Sequence, residues 1–136
     1  METMRALVYD RPSVCSVRDV PMPVCGEDEV VIKVMAASIC KGADRRHHTT
    51  GHKLGRYPIT TGHEFAGYIY QVGSAVTGWN VGDRVKADNA VPCGKCYFCQ
   101  QEMYAHCLNF QSVGHSIPGG FAQYLKVKDK TVFRIP

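Results

Sequence analysis

The sequence predicts a mainly β domain, folded as a small barrel or sandwich, with little helix. The first observation behind this prediction is a series of short runs rich in β-branched and aromatic residues. The second is that glycines occupy the gaps between these runs, where the chain must turn. The third is that apolar residues rarely recur at helical spacing, so only residues 41–48 are expected to form a turn or two of helix.

Seven strands are predicted in chain order. The strongest is Glu29–Ser38, because Val30, Ile32 and Val34 share one face of the alternating pattern. The other predicted strands cover residues 4–9, 13–20, 65–72, 83–87, 121–127 and 132–135. No internal repeat or low-complexity linker marks a second domain, so residues 1–136 are predicted to form one domain.

Composition and charge exclude several classes of protein. The chain has 136 residues, of which 45% are hydrophobic and 21% charged, unlike a disordered chain, a coiled coil or a collagen fibre. The net charge is +4, and residues 41–56 hold this whole excess, with five basic side chains against Asp44 alone. Because the rest of the chain is balanced, we expect no nucleic-acid-binding face. No apolar run approaches the ~20 residues of a membrane span, so we expect no membrane partner.

The cysteines point to a reducing compartment and a metal site. Residues 1–20 carry charges throughout and have no apolar core segment, so we expect no signal peptide and a cytoplasmic location. The chain has seven cysteines, an odd number, and four of them crowd into residues 93–107. This distribution favours free thiols and a bound metal over a disulfide framework.

The four clustered cysteines follow the pattern Cys93-x2-Cys96-x2-Cys99-x7-Cys107. Four thiolates at this spacing can surround one zinc ion in a closed structural site. An iron–sulfur cluster fits less well, because the bacterial ferredoxin run ends in a three-residue spacing followed by proline. A nucleic-acid zinc finger also fits poorly, because this segment lacks the positive charge that phosphates require.

A second group of candidate ligands combines Cys40 with the turn at Gly62, His63 and Glu64. Cys40 follows the strongest predicted strand, and the turn precedes another. Cysteine and histidine are ligands of catalytic zinc sites that keep one position open. A His-Glu pair at the entry of a strand is also common as an ordinary polar turn, so these residues alone leave both interpretations open.

Three further segments accompany these two groups. The pattern GHE-x2-G-x5-G-x2-V runs from Gly62 to Val76, VGDRV covers residues 81–85, and GGFAQY covers residues 119–124. Together with the four cysteines, they resemble the zinc-dependent medium-chain alcohol dehydrogenase family over essentially the whole chain. The resemblance implies a GroES-like catalytic domain, a partly open β-barrel with a looped-out zinc lobe. It also implies an oxidoreductase that transfers hydride between an alcohol or polyol and NAD or NADP.

The resemblance implies roles for individual residues. Cys40 and His63 would bind the catalytic zinc, with Glu64 beside the metal, and Asp44 would orient the ligand histidine. The structural zinc would be bound by Cys93, Cys96, Cys99 and Cys107. Lys41 would help to hold the cofactor pyrophosphate.

One departure affects the proton pathway. The family commonly reads C-x-[ST]-D, with a hydroxyl that relays the alcohol proton, whereas this chain reads Cys40-Lys41-Gly42-Ala43-Asp44. A water molecule, Thr49 or Thr50 could replace that hydroxyl.

The basic loop 41–56 is otherwise an ordinary solvated loop, and its histidines His47, His48 and His52 are a weaker candidate for another metal site.

The chain lacks the G-x-G-x-x-G turn that grips a dinucleotide. We therefore expect a domain or fragment of a longer protein, with the nucleotide-binding domain as its partner and a homo-oligomer in the full-length form. The isolated chain is expected to be inactive.

The alternative function is that of a non-enzymatic, zinc-stabilised β-barrel that serves as an interaction module. Two bound zinc ions per chain would favour the enzyme, and one would favour the module.

Overall fold

The computed structural model describes residues 2–136 and is dominated by antiparallel strands. The strands are β1 (Thr3–Arg11), β2 (Val14–Pro21), β3 (Glu29–Ser38), β4 (Ile59–Thr60), β5 (Glu64–Val72), β6 (Arg84–Ala87), β7 (Ala90–Val91), β8 (Gln111–Ser112), β9 (Tyr124–Lys128) and β10 (Val132–Arg134). The helices are α1 (Ala43–His48) and α2 (Tyr97–Gln100), and short 3-10 turns cover Tyr104–His106 and Asp129–Thr131. None of the described helices is long and apolar enough to cross a membrane.

Three sheets form the barrel-like body. One has five strands in the order β10-β6-β5-β3-β9, one has three in the order β2-β1-β4, and β7 pairs with β8. The larger two meet where β1 approaches the segment before β9: the Leu7 N–H donates to the Phe121 carbonyl at 2.8 Å, and Ala6 bridges Ala122. The sheets do not close completely, which confirms the predicted partly open barrel.

The pairing of β3 with β5 brings the candidate metal ligands together. The two strands run antiparallel with Ser38 opposite Glu64, so the chain just beyond β3 lies beside the chain just before β5. The register shifts between Val34 and Ala36, where Gly67 faces the partner strand. A Cβ atom on Gly67 would overlap the Lys33 carbonyl, so this close approach requires glycine.

The core lies on one face of the five-stranded sheet. Ile32, Ile69 and Val85 are almost fully buried there, as the alternation of apolar residues predicts. Val30, Phe65, Ala87, Val91, Val113, Leu125, Val127 and Val132 belong to the same cluster. This packed sheet supports the chain ends that carry the site.

All seven predicted strands are present, and β3 has the predicted bounds. The largest difference is at β9, which begins at Tyr124 rather than at residue 121. The preceding residues pair with β1 instead, since the Gln123 N–H donates to the Arg5 carbonyl at 3.1 Å. The two-residue strands β4, β7 and β8 were not predicted, because such short bridges leave no alternating pattern.

Candidate functional site

Cys40, His63 and Glu64 converge at the end of the β3–β5 pair. Each residue offers one ligand atom, and these atoms all lie within 4.8 Å of one another. The Ser38 hydroxyl donates a hydrogen bond to Glu64 Oε2, which fixes the carboxylate at the start of β5. Sulfur, imidazole and carboxylate form a donor set suited to zinc.

Asp44 lies behind this cluster, on the first turn of α1. Its Oδ2 accepts the Cys40 backbone N–H at 2.8 Å, and its Oδ1 lies 3.7 Å from His63 Nδ1. Burial raises the pKa of Asp44, while the Cys40 N–H and the His63 ring act in the opposite direction.

The orientation of the His63 ring follows from its two neighbours. Nδ1 faces Asp44, while Nε2 lies on the Glu64 side, 3.9 Å from Oε1. Asp44 Oδ1 and His63 Nδ1 are both buried and make no hydrogen bond in this geometry. Buried polar atoms normally have partners. A proton on Nδ1 that faces Asp44 would leave Nε2 free to bind a metal. The residues present therefore fit a zinc ion.

The turn that presents His63 depends on Gly62. Its φ angle is +93°, a left-handed conformation that favours glycine. An added Cβ would come within 2.6 Å of the Phe121 ring. The His63 backbone is thus held against the segment that joins the two large sheets.

The four lobe cysteines also converge. One sulfur atom from each of Cys93, Cys96, Cys99 and Cys107 lies within 4.8 Å of the others. Backbone N–H groups of Lys95 and Cys96 lower the pKa of Cys93 to about 6, and N–H groups of Cys99 and Leu108 lower the pKa of Cys96. Burial raises the pKa of Cys99 to about 12. These backbone N–H groups stabilise the thiolate forms of Cys93 and Cys96, and the set of four sulfurs fits a structural zinc.

A histidine cluster adjoins the first site and contains His47, His52 and His115, whose ligand atoms also lie within 4.8 Å of one another. His47 is bonded on both sides: Nδ1 pairs with the Tyr57 hydroxyl at 2.8 Å, and Nε2 with His115 Nδ1 at 2.9 Å. Burial and neighbouring histidines lower the pKa values of His47 and His115 to about 4. Both rings are therefore neutral near pH 7.

Sequence reasoning found only part of this cluster. His48, which the sequence predicts beside His47 and His52, is exposed and pairs instead with the Tyr9 hydroxyl at 3.3 Å. His115 was missed, because it lies after the cysteine lobe and no local pattern marks it. The β8 bridge and the 112–117 turn bring it back to the site.

Lys41 and the candidate proton-relay threonines are all exposed. Lys41 forms no ion pair within residues 2–136. The Thr49 hydroxyl donates to the Arg45 carbonyl at 2.9 Å, which terminates α1. That bond gives Thr49 a structural role in the helix end.

A large cleft lies elsewhere, between the three-stranded sheet and β9. It has a volume of about 670 Å³ and a mostly apolar lining that includes Val8, Ile59 and Leu125. It contains none of the candidate ligands, so the chemistry lies outside this cleft.

Curated relatives match almost the whole chain. The sorbitol dehydrogenase of Bacillus subtilis (strain 168) is 39% identical over 99% of this chain and 39% of its own length. The galactitol 1-phosphate 5-dehydrogenase of Escherichia coli (strain K12) is 36% identical over 98% of this chain and 38% of its own length. The chain thus spans about two fifths of the relatives that it matches.

Solved structures share the fold. Galactitol-1-phosphate dehydrogenase from Escherichia coli superposes with a TM-score of 0.88 at 36% identity, covering 98% of this chain and 38% of that one. An alcohol dehydrogenase from Escherichia coli CFT073 complexed with NADH gives 0.89 at 33% identity, covering 100% and 39%. The family model described as the alcohol dehydrogenase GroES-like domain matches residues 26–136. With this match over most of its length, the chain belongs to the alcohol dehydrogenase GroES-like domain family.

Proposed function

We propose that this chain is the zinc-binding catalytic domain of an oxidoreductase that transfers hydride between an alcohol or polyol and NAD or NADP. The observation that carries the proposal is the convergence of Cys40, His63 and Glu64, with Asp44 behind the histidine. The names of the similar dehydrogenases support the same reaction class. An interaction module stabilised by the cysteine lobe alone has no need for this second donor set.

The residues of this chain have distinct roles in the proposed reaction. A zinc ion at the site supplies Lewis acidity that lowers the pKa of an alcohol hydroxyl. Cys40 and His63 hold that ion, and Glu64 is a neighbouring or alternating ligand. Asp44 fixes the His63 ring through Nδ1, and Ser38 holds the Glu64 carboxylate.

The four lobe cysteines hold a second, structural zinc in this proposal. Their closed set of four sulfur ligands leaves no position for substrate. Lys41 contributes a positive charge to the cofactor pyrophosphate. The dinucleotide itself is held by a nucleotide-binding domain, which the greater length of the relatives accommodates.

The proposal also covers the cellular location, oligomeric state and substrate of the whole protein. All seven cysteines are free, which supports a cytoplasmic location. We also propose that the full-length protein is a homo-oligomer whose substrate is a small alcohol or polyol. Size-exclusion chromatography with light scattering measures that state directly.

Cobalt substitution tests the proposed site. Co²⁺ replaces zinc in both donor sets, and its visible spectrum reports a change of ligand. We expect addition of an alcohol to perturb one of the two cobalt spectra, and Cys40→Ala to abolish that response while the lobe spectrum stays. No turnover of alcohol with NAD is expected from this chain alone, because nothing in residues 2–136 positions a nicotinamide. Two cobalt sites that both ignore alcohol would contradict the proposal.

A further inference from the structure

We propose that the outer ring nitrogens of His52 and His115 bind hydroxyl groups of the substrate, next to the hydroxyl held at the Cys40–His63–Glu64 site. This arrangement selects polyols over simple alcohols. The inference rests on the proposed function, which supplies the first hydroxyl, and names the residues that recognise the second and third.

The imidazole rings form a continuous row that begins at the metal site. The His63 and His115 ring centres are 4.7 Å apart, tilted by 39°. The His115 and His52 rings stack more closely, at 4.2 Å and 14°. A chain of carbon atoms that extends from an oxygen at the His63 side therefore passes the edges of two more imidazoles.

Hydrogen bonding shows which nitrogens remain available. His115 Nδ1 is paired with His47, and His52 Nδ1 accepts the Leu54 N–H at 3.2 Å. Because Nδ1 of neutral His52 is an acceptor, its proton lies on Nε2, which is a donor. Neither Nε2 atom has a hydrogen-bond partner in the described chain, and neither is among its fully buried unpaired atoms. His52 is half-buried and His115 is 4% exposed, so both nitrogens lie just below the surface.

Neutral imidazoles suit hydroxyl groups, which both donate and accept hydrogen bonds. His47 occupies Nδ1 of His115, and the Leu54 N–H occupies Nδ1 of His52, so each ring keeps one nitrogen, Nε2, for a hydroxyl group. The pair thus offers two nitrogens to a ligand. His52 Nε2 is a donor. His115 Nε2 is an acceptor if its Nδ1 donates to His47, and a donor if its Nδ1 accepts from His47.

The same geometry disfavours a third metal ion. The His47 and His115 rings lie within 7° of parallel, and their facing nitrogens are 2.9 Å apart, which is hydrogen-bond geometry. A metal ion between them needs roughly 2.0–2.1 Å to each nitrogen. These two nitrogens form a hydrogen bond with each other instead. The nitrogens that remain for a ligand are Nε2 of His52 and Nε2 of His115.

Asparagine substitutions remove the outer nitrogens selectively. The amide of His115→Asn replaces Nδ1 and preserves a bond to His47, and that of His52→Asn preserves an acceptor for the Leu54 N–H. His48→Asn is the matched control, because His48 is exposed and its Nδ1 pairs with Tyr9. All variants are compared as zinc-loaded protein by histidine-ring ¹⁵N NMR, with sorbitol and propan-2-ol as the probes.

The expected result is that sorbitol shifts the Nε2 resonances of His52 and His115, whereas propan-2-ol does not. Each site variant weakens sorbitol binding roughly tenfold, the loss of one hydrogen bond, and leaves propan-2-ol binding unchanged. Equal binding of sorbitol by the variants and the parent chain would overturn the inference, as would a third zinc ion lost in His115→Asn. Failure of both alcohols to bind at the Cys40 site would instead refute the proposed function.

Discussion

At the scale of single residues, Asp44 has the most consequential position. One carboxylate oxygen holds the backbone of Cys40 and the other faces His63 Nδ1, so a single side chain aligns two proposed ligands. Outer partners of this kind set the orientation and basicity of a metal-bound imidazole.

Replacing Asp44 by asparagine tests this alignment. The amide oxygen can still accept the Cys40 N–H, but the amide NH₂ then faces His63 Nδ1, which has to be a donor when Nε2 binds a metal. We expect zinc affinity at the Cys40 site to fall about 10–100-fold, with lobe affinity unchanged. Competition with a fluorescent chelator measures both affinities. Asp28→Asn, which removes only an exposed pair with Lys128, is the control, and an unchanged Cys40-site affinity would contradict the role of Asp44.

The lowered pKa of the buried His47 ring makes the stability of the fold depend on pH. Its pKa is about 4 in the folded chain, below the ordinary value of 6.5, because burial disfavours the charged ring. Between these values the unfolded chain binds more protons, so the stabilisation is complete above pH 6.5 and is lost as the pH falls through about 4. We expect the difference in unfolding free energy between the parent chain and His47→Gln to shrink from pH 7 to pH 4.5. Urea unfolding at the two pH values measures this difference. A difference that does not change with pH would show that burial does not hold the His47 ring in its neutral form.

At the scale of elements, the site is built from two strand ends and the glycine turn between β4 and β5. The segment from Cys40 to His63 leaves β3, forms α1, and returns through β4, so its two ends meet beside the β3–β5 pair. Packing of that turn against Phe121 fixes where the return occurs.

Gly62→Ala tests that packing. A side chain there suffers both the left-handed backbone and a contact of 2.6 Å with the Phe121 ring. We expect a loss of about 2–4 kcal/mol of unfolding free energy, from backbone strain and overpacking together. Gly42→Ala is the control, because its added Cβ would lie 3.9 Å from Cys40 Sγ, an ordinary contact, and its φ angle of −80° suits any residue. Chemical denaturation of both variants decides the point, and equal stabilities would mean that the turn is not constrained.

The elements also show how far sequence reasoning reaches. Alternation in β3 and the cysteine spacing were sufficient for the main sheet and the lobe, because both signals are local. The position of Asp44 next to His63 was anticipated through the family pattern. His115 was not, because its place depends on the long-range packing of the 112–117 turn against α1. The inserted residue after Cys40 likewise had no predictable consequence, since only packing decides where Thr49 points.

At the scale of the whole molecule, the proposed function depends on two separate groups of metal ligands. One consists of four thiols, and the other of a cysteine, a half-buried histidine and a glutamate that is 46% exposed. The relatives are more than twice as long, and hydride transfer needs the nicotinamide to be held against the substrate. The central claim for this chain is therefore two zinc ions of different kinds.

Stepwise chelation with metal counting by mass spectrometry tests that claim most directly. The account predicts two zinc ions per chain, one in Cys40→Ala and one in Cys96→Ser, and earlier release of the Cys40-site ion because its ligand set is open and incomplete. Cys15→Ala, at an exposed free thiol, keeps both ions. A single zinc in the parent chain, or two ions retained in Cys40→Ala and released together, would contradict the account.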